Sequence, residues 1–166
     1  MNTERLEVAA SKVALGILHS ENLADVAVLA LEDGCDSPSL RVLAGLTAAE
    51  ADEARAMFDR ALAELHGAVP SKRDAVRCLA RETAKEILSG TMAPYEGAKQ
   101  IWELSLQIPD ENLPELDSFV YAAIEWEARP EDRHVFAEGI TAAARELVSI
   151  QRDHGTRGEG GGFRAR

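Results

Sequence analysis

Residues 47–67 read TAAEADEARAMFDRALAELHG, and this stretch contains every signal of a helix. Thr47 with Glu50 three residues later forms a capping box, in which each side chain bonds the backbone N–H of the other residue. The apolar residues that follow recur at helical spacing up to Gly67: Ala51, Ala54, Phe58, Ala61, Leu62 and Leu65. The stretch therefore predicts an amphipathic helix between Thr47 and Gly67.

Similar caps, proline and glycine breaks and apolar stripes divide the rest of the chain. They predict helices at 4–19, from Ser20 or Asn22 to Gly34, from Pro38 to Ala44, from Ser71 to Gly90, from Pro94 to Pro109, at 114–128 and at 131–150. The connections are short, and short connections place consecutive helices antiparallel. We therefore predict an all-α fold, a compact bundle of antiparallel helical hairpins with seven to eight helices.

Three of the apolar stripes assign residues to the core. Helix 4–19 would bury Leu6, Ala10, Val13 and Ile17, helix 114–128 would bury Leu116, Phe119, Val120, Ala123 and Trp126, and helix 131–150 would bury Val135, Phe136, Ile140, Ala143 and Leu147. The region 95–136 holds six of the eight aromatic residues. This half of the chain is therefore the more strongly specified.

The length of 166 residues suits one domain, which we predict over 1–150. From Gln151 the sequence QRDHGTRGEGGGFRAR has no apolar stripe, so 151–166 is predicted to be a disordered Gly/Arg-rich tail. Its GEGGG run follows no strand and lacks the Gly-Lys-Ser/Thr ending of a phosphate loop.

The hydrophobic pattern predicts a cytoplasmic protein. Apolar stretches such as Leu23–Leu31, which Asp25 interrupts, are shorter than the roughly 20 residues of a membrane span. The N-terminal residues 1–12 carry Glu4, Arg5 and Glu7 where a secretory signal would have a basic and then an apolar segment. We expect no membrane partner.

The residues of chemical interest do not assemble a recognisable catalytic centre. Cys35 and Cys78 lack a second cysteine at metal-clip spacing, and no serine lies in a Gly-x-Ser-x-Gly elbow. His134 and Glu138 are spaced for two metal ligands on a helix, but a lone His-x-x-x-Glu pair is common by chance, and a solvated pair is the favoured interpretation. We predict no enzyme, no metal and no cofactor, with an enzyme assembled from scattered carboxylates as the third reading.

Charge favours a basic protein partner. The net charge of −11 argues against direct binding to nucleic acid, which requires clustered Lys and Arg. Residues 110–138 alone hold nine acids against Arg129 and Arg133, a net charge of −7. An acidic region of this kind complements a basic surface.

The helical wheel of 114–128 gives this region an outer face. Asp117, Tyr121 and Glu125 point away from the apolar side, and a tyrosine between two carboxylates suits a contact with a basic partner. An exposed tyrosine on a solvated face is the alternative. Glu127 falls near the apolar side, where Arg129 or Arg133 is close enough in sequence to pair with it.

One basic feature opposes the overall charge. Arg73, Arg77, Arg81 and Lys85 recur every four residues along the helix from Ser71 to Gly90 and form a stripe. The stripe would bind an anionic ligand, or it is solvated or paired with the acidic 110–138 region. Glu82 and Glu86 beside it weaken its field, which favours the second reading.

The second half of the chain also carries a resemblance. It looks like small uncharacterised bacterial helical proteins and, more distantly, resembles the colicin D-type self-protective immunity proteins. The matching segments are LSGTMAPYEGA at 88–98, Ile101-Trp102, LDSFVYAA at 116–123, Glu125-Trp126-Glu127 and Pro130-Glu131-Asp132-Arg133. Together they cover about 82–150, and the first half, about 1–81, has no counterpart in such immunity proteins.

The resemblance implies a bacterial inhibitor of a toxin. Immunity proteins of that family are four-helix bundles whose carboxylates occupy the basic active site of a tRNA-cleaving toxin in place of RNA phosphates. Carried over, the matching acids are Glu125, Glu127, Glu131 and Asp132. Combined with the outer face, the predicted partner-binding residues are Asp117, Tyr121, Glu125, Glu127, Glu131 and Asp132. The alternative function is a structural or adaptor helical domain without a toxin partner, whose charge serves solubility.

Overall fold

The computed structural model describes residues 3–154, with side-chain surroundings for 3–150. Its α-helices are α1 (Glu4–Ala14), α2 (Leu23–Glu32), α3 (Pro38–Ala44), α4 (Ala51–Glu64), α5 (Lys72–Ser89), α6 (Pro94–Ser105), α7 (Asp117–Glu125) and α8 (Arg133–His154). Short 3-10 turns lie at Ser20–Asn22, Ala48–Glu50, Pro114–Leu116 and Pro130–Asp132. No strand occurs in the described residues, so the all-α prediction is confirmed. Of the tail predicted to be disordered, 151–154 belong to α8, which ends four residues later than predicted, and 155–166 lie outside the described residues.

The helices group into two compact units. Within the described residues, unit 1 comprises 3–79 with Gln107–Glu111, and unit 2 comprises Ala80–Leu106 with 112–154. Helix α5 therefore contributes its first part to unit 1 and its second part to unit 2. The single domain over 1–150 stays a prediction.

Unit 1 packs consecutive helices against one another. α1 contacts α2, α2 contacts α3, and α3 contacts α4. The core that they enclose is built from Leu, Ala and Val side chains around Phe58, with the buried thiol of Cys35. The capping box of Thr47 and Glu50 forms as predicted, and α4 buries Ala54, Phe58, Ala61 and Leu62.

The end of α1 differs from the prediction. Helix 4–19 was expected, but α1 ends at Ala14, and Ile17 is 49% exposed instead of buried. Gly16 adopts a positive φ of 70°, the Ile17 N–H donates to the Lys12 carbonyl at 2.8 Å, and the Gly16 N–H donates to that of Val13 at 3.1 Å. This pair of bonds is a Schellman motif, which closes the helix with its own backbone.

The end of α4 uses the same motif without glycine in the left-handed position. His66 has a φ of 62°, and the Gly67 N–H donates to the Leu62 carbonyl at 2.7 Å. Gly67, the stop signal in the sequence, therefore lies one residue beyond the left-handed position. An L-residue with a side chain pays a steric cost there that glycine avoids.

Unit 2 packs α6, α7 and α8 together, with each pair in contact. α7 buries Phe119, Ala122 and Ala123, and α8 buries Phe136, Ile140, Ala144 and Leu147. The predicted core residues Val120 and Ala143 are only half-buried. Val135 is 53% exposed, so its assignment to the core was wrong.

Candidate protein-binding site

Helix α7 positions the predicted face. The 3-10 turn Pro114–Leu116 leads into it, and Leu116 and Phe119 are almost fully buried. The chain leaves the α-helix after Glu125, three residues before the predicted end, and passes through a second 3-10 turn at Pro130–Asp132. Proline starts both turns, which fits its fixed φ and missing N–H.

The outer side of α7 matches the helical wheel. Asp117 is exposed, Tyr121 is 54% exposed, and Glu125 is half-buried at the end of the helix. Ile124, which the sequence analysis left out, is 53% exposed. At about 100° per residue it lies within about 20° of Asp117, so an apolar side chain belongs to the same face. The face is therefore aromatic and aliphatic, with carboxylates beside the apolar groups.

Arg129 lies in a cage that we define by Tyr121, Phe136 and Asp132. Its Nη1 donates to the Tyr121 hydroxyl at 3.3 Å, and its Nη2 pairs with the Asp132 carboxylate. Its Cζ lies 5.5 Å from the centre of the Phe136 ring, which Tyr121 also meets edge-on at a centroid distance of 6.2 Å. A cation over an aromatic face is attracted by the ring's quadrupole.

The electrostatics of the cage favour the charged guanidinium. The hydrogen bond to Asp132 and the charge of that carboxylate raise the pKa of Arg129 above its ordinary value. The negative charge of Glu125 acts in the same direction, whereas partial desolvation opposes it. The cage is thus complementary in both shape and charge to a guanidinium.

Arg133, four residues further on, has a similar environment around Trp126. Its Cζ lies 5.6 Å from the Trp126 ring centre, its Nε donates to the Trp126 carbonyl at 3.1 Å, and its Nη2 donates to Glu127 at 3.0 Å. The ring of Tyr95 stacks on Trp126 at 4.6 Å with an interplanar angle of 12°. Trp126 is accordingly half-buried between side chains, where the helical wheel predicted a core position.

Of the six predicted partner-binding residues, two form ion pairs within the chain, and the other four are described by their exposure to solvent. Glu127 and Asp132 form ion pairs with Arg133 and Arg129. Asp117, Tyr121 and Glu131 are exposed, and Glu125 is half-buried. The five acids and two arginines of this surface leave a net charge of −3.

The cage around Arg129 was not predicted from the sequence. Phe136 was assigned to the core, and it is only 8% exposed. The guanidinium of Arg129 also lies over its ring. The available signal was the Arg129-x-x-Asp132 spacing around Pro130, which suits an ion pair across a helical turn. Sequence alone allowed Arg129 or Arg133 to pair with Glu127, and the structure selects Arg133.

The basic stripe of α5 is largely paired within the chain. Arg73 pairs with Glu111 at 2.8 Å, Lys85 pairs with Glu82 at 2.7 Å, and Arg77 lies 4.0 Å from Asp74. Glu111 belongs to the acidic 110–138 region, so the Arg73 pair agrees with the interpretation that the stripe pairs with that region. The Nε atom of Arg81 is buried and has no hydrogen-bond partner among the described residues.

Two further observations concern ligands and membranes. Within residues 3–154, no three His, Cys, Asp or Glu side chains come together in a way that could hold a metal ion. None of the helices described there is both long and apolar enough to cross a bilayer.

Comparison with known proteins gives no match. No family model fits the chain, and no curated protein or solved structure is significantly similar to it.

Proposed function

We propose that this chain is a non-enzymatic binding protein of immunity type, which acts in the bacterial cytoplasm. It would hold a basic protein, such as a tRNA-cleaving nuclease toxin, through the acidic face of α7 and the turn that follows. The observation that carries the proposal is the exposed Tyr121, with Asp117 and Glu125 one helical turn away on either side. Tyrosine is enriched at protein interfaces, and carboxylates complement Arg and Lys.

Two features support this choice of surface. The segment that resembles the immunity family, about 82–150, belongs to unit 2 except for Gln107–Glu111. The face also combines exposed apolar side chains, Tyr121 and Ile124, with a negative border. A central apolar contact with a charged rim is the usual organisation of a protein interface. Such a site requires neither a metal nor a cofactor.

The test is retention of basic proteins by the immobilised full chain, compared between two charge-reversed variants. Asp117→Lys/Glu125→Lys reverses the first and last residues of α7. Glu96→Lys/Glu103→Lys is the matched control, because these exposed acids lie in the first and last turns of α6 in the same unit. Both variants change the total charge equally, so nonspecific ion exchange affects them alike.

We expect a basic partner to be retained by the wild type and the α6 variant, and to bind the α7 variant at least about tenfold more weakly. The purified partner should cleave tRNA, and the wild-type chain should block that cleavage at equimolar concentration. Equal retention by both variants would remove the α7 face from the interface. A retained partner without nuclease activity would favour the adaptor function.

A further inference from the structure

The cage of Tyr121, Phe136 and Asp132 resembles a binding site that already contains a ligand. All the groups that a guanidinium requires are present: an aromatic face at 5.5 Å, a hydroxyl acceptor at 3.3 Å and a paired carboxylate. Arg129 supplies the guanidinium from the chain itself. We propose that the cage is a receptor for an arginine side chain of the partner, and that Arg129 occupies it until the partner's arginine replaces it. This inference rests on the proposed function.

The exposure of the pair makes the exchange feasible. The Arg129 side chain is 44% exposed and that of Asp132 is 30% exposed, so the guanidinium is accessible from solvent. Exposed ion pairs of this kind contribute little net stability, because water solvates both groups well when they separate. Arg129 follows the end of α7 and precedes Pro130, outside any α-helix. Its side chain can therefore leave the cage without unwinding a helix.

Arginine is the favoured occupant over lysine. The cage presents acceptors on two sides, the Tyr121 hydroxyl toward Nη1 and the Asp132 carboxylate toward Nη2, together with a ring face for the planar group. A guanidinium satisfies all three contacts at once, whereas an ammonium is a point charge without a planar face. A peptide or protein surface with an accessible arginine is thus the ligand that fits.

A resident competitor reduces the apparent affinity for an incoming arginine to the intrinsic affinity multiplied by the fraction of molecules in which the cage is empty. Arg129→Ala should therefore bind arginine more tightly than the wild type does. Exposed ion pairs and cation–π contacts of ordinary strength predict a gain of roughly five- to thirtyfold. If Arg129 served only to hold the turn, its removal would leave arginine binding unchanged.

The experiment titrates the full chain with N-acetyl-L-arginine amide and follows the ring resonances of Tyr121 and Phe136 by NMR. Arg129→Ala should saturate at lower concentration than the wild type, and the neutral isostere N-acetyl-L-citrulline amide should produce no comparable shift. Asp132→Asn in the Arg129→Ala background should abolish binding. Arg145→Ala, which removes an exposed arginine of α8 in the same unit, is the matched control and should behave as the wild type.

Several results would contradict the proposal that the cage is a receptor for arginine. These are equal affinity of Arg129→Ala and wild type, equal binding of the citrulline probe, and ring shifts confined to residues other than Tyr121 and Phe136. Arg129→Gln is the second variant if Arg129→Ala loses its helical circular dichroism signal, and the same outcomes decide it. If the probe binds as expected but the α7 face retains no basic protein, the receptor stands and the proposed function fails. If a partner binds wild type and Arg129→Ala equally, the exchange fails and the proposed function stands.

Discussion

The carboxylate of Glu64, the last residue of α4, accepts two hydrogen bonds from Ser39. The backbone N–H donates at 3.0 Å and the hydroxyl at 2.7 Å, so one side chain satisfies a donor in the first turn of α3. These bonds, with a further contribution from Ser37, lower the pKa of Glu64 below its usual value. The bonds link α3 to α4 in a way that depends on pH.

The first prediction concerns acid stability. Because the pKa of Glu64 is lower in the folded state, its contribution is complete above the unfolded pKa of about 4.5 and is lost as the pH falls through the folded value. Glu64→Gln should therefore lower the melting temperature at neutral pH and reduce the loss of stability on acidification. Thermal melts between neutral and acidic pH measure both effects. Glu53→Gln, which removes one negative charge at an exposed position on the same helix, is the control for the change in net charge.

The second prediction compares two helical glycines of unit 2. A Cβ added at Gly97 would lie 2.5 Å from two side-chain carbons of the buried Ile87, whereas one added at Gly139 meets no heavy atom within 4 Å. Gly97→Ala should cost about 1–3 kcal/mol because of overpacking. Gly139→Ala should stabilise by up to about 1 kcal/mol through helix propensity. Urea unfolding measures both, and a stabilising Gly97→Ala would show that Ile87 can move aside.

The third prediction concerns the left-handed His66. His66→Gly should raise the free energy of unfolding by roughly 0.5–1 kcal/mol, because glycine adopts a positive φ without steric cost. His66→Ala keeps the Cβ and should gain nothing. If both variants gained equally, the removal of the imidazole, rather than relief of backbone strain, would be the cause.

The fourth prediction compares the stability contributions of Phe119, in the first turn of α7, and Trp126, the residue directly after α7. Phe119 is fully buried, so Phe119→Ala should cost about 3–5 kcal/mol. Trp126 is half-buried between Tyr95 and Arg133. Trp126→Ala should therefore lower the free energy of unfolding by less, about 1–3 kcal/mol, through loss of these two ring contacts. Chemical denaturation ranks the two, and the reverse order would place Trp126 among the main core residues.

Local signals in the sequence were sufficient for the helices but not for their ends. The apolar stripe continued to Ile17, yet Gly16 ended α1 because two backbone bonds close the helix there. Trp126 was misplaced because its ring lies half-buried between the side chains of Tyr95 and Arg133. Val135 was misplaced because it lies about 100° from Phe136 and about 140° from Ile140 around α8, outside the buried side of that helix. The helical wheel did place Tyr121 on the outer side of α7.

The cage could not be derived from the same signals. Tyr121 and Phe136 are fifteen positions apart on different helices, and only the packing of α7 against α8 brings their rings together. Periodicity describes which side of a helix is apolar, but it does not say which side chains of two helices meet. Arg129 therefore read as one basic residue within an acidic region.

Unit 1 is built from two segments of the chain that are separated by part of unit 2, which affects how the protein can be truncated. Its last segment, Gln107–Glu111, is synthesised only after α6, which belongs to unit 2. The units are thus interleaved along the chain, and no single cut separates them. A fragment of residues 1–79 would lack Glu111, the carboxylate 2.8 Å from Arg73, together with the buried Ile108. During translation, the ribosome must therefore release the beginning of unit 2 before unit 1 has all of its residues.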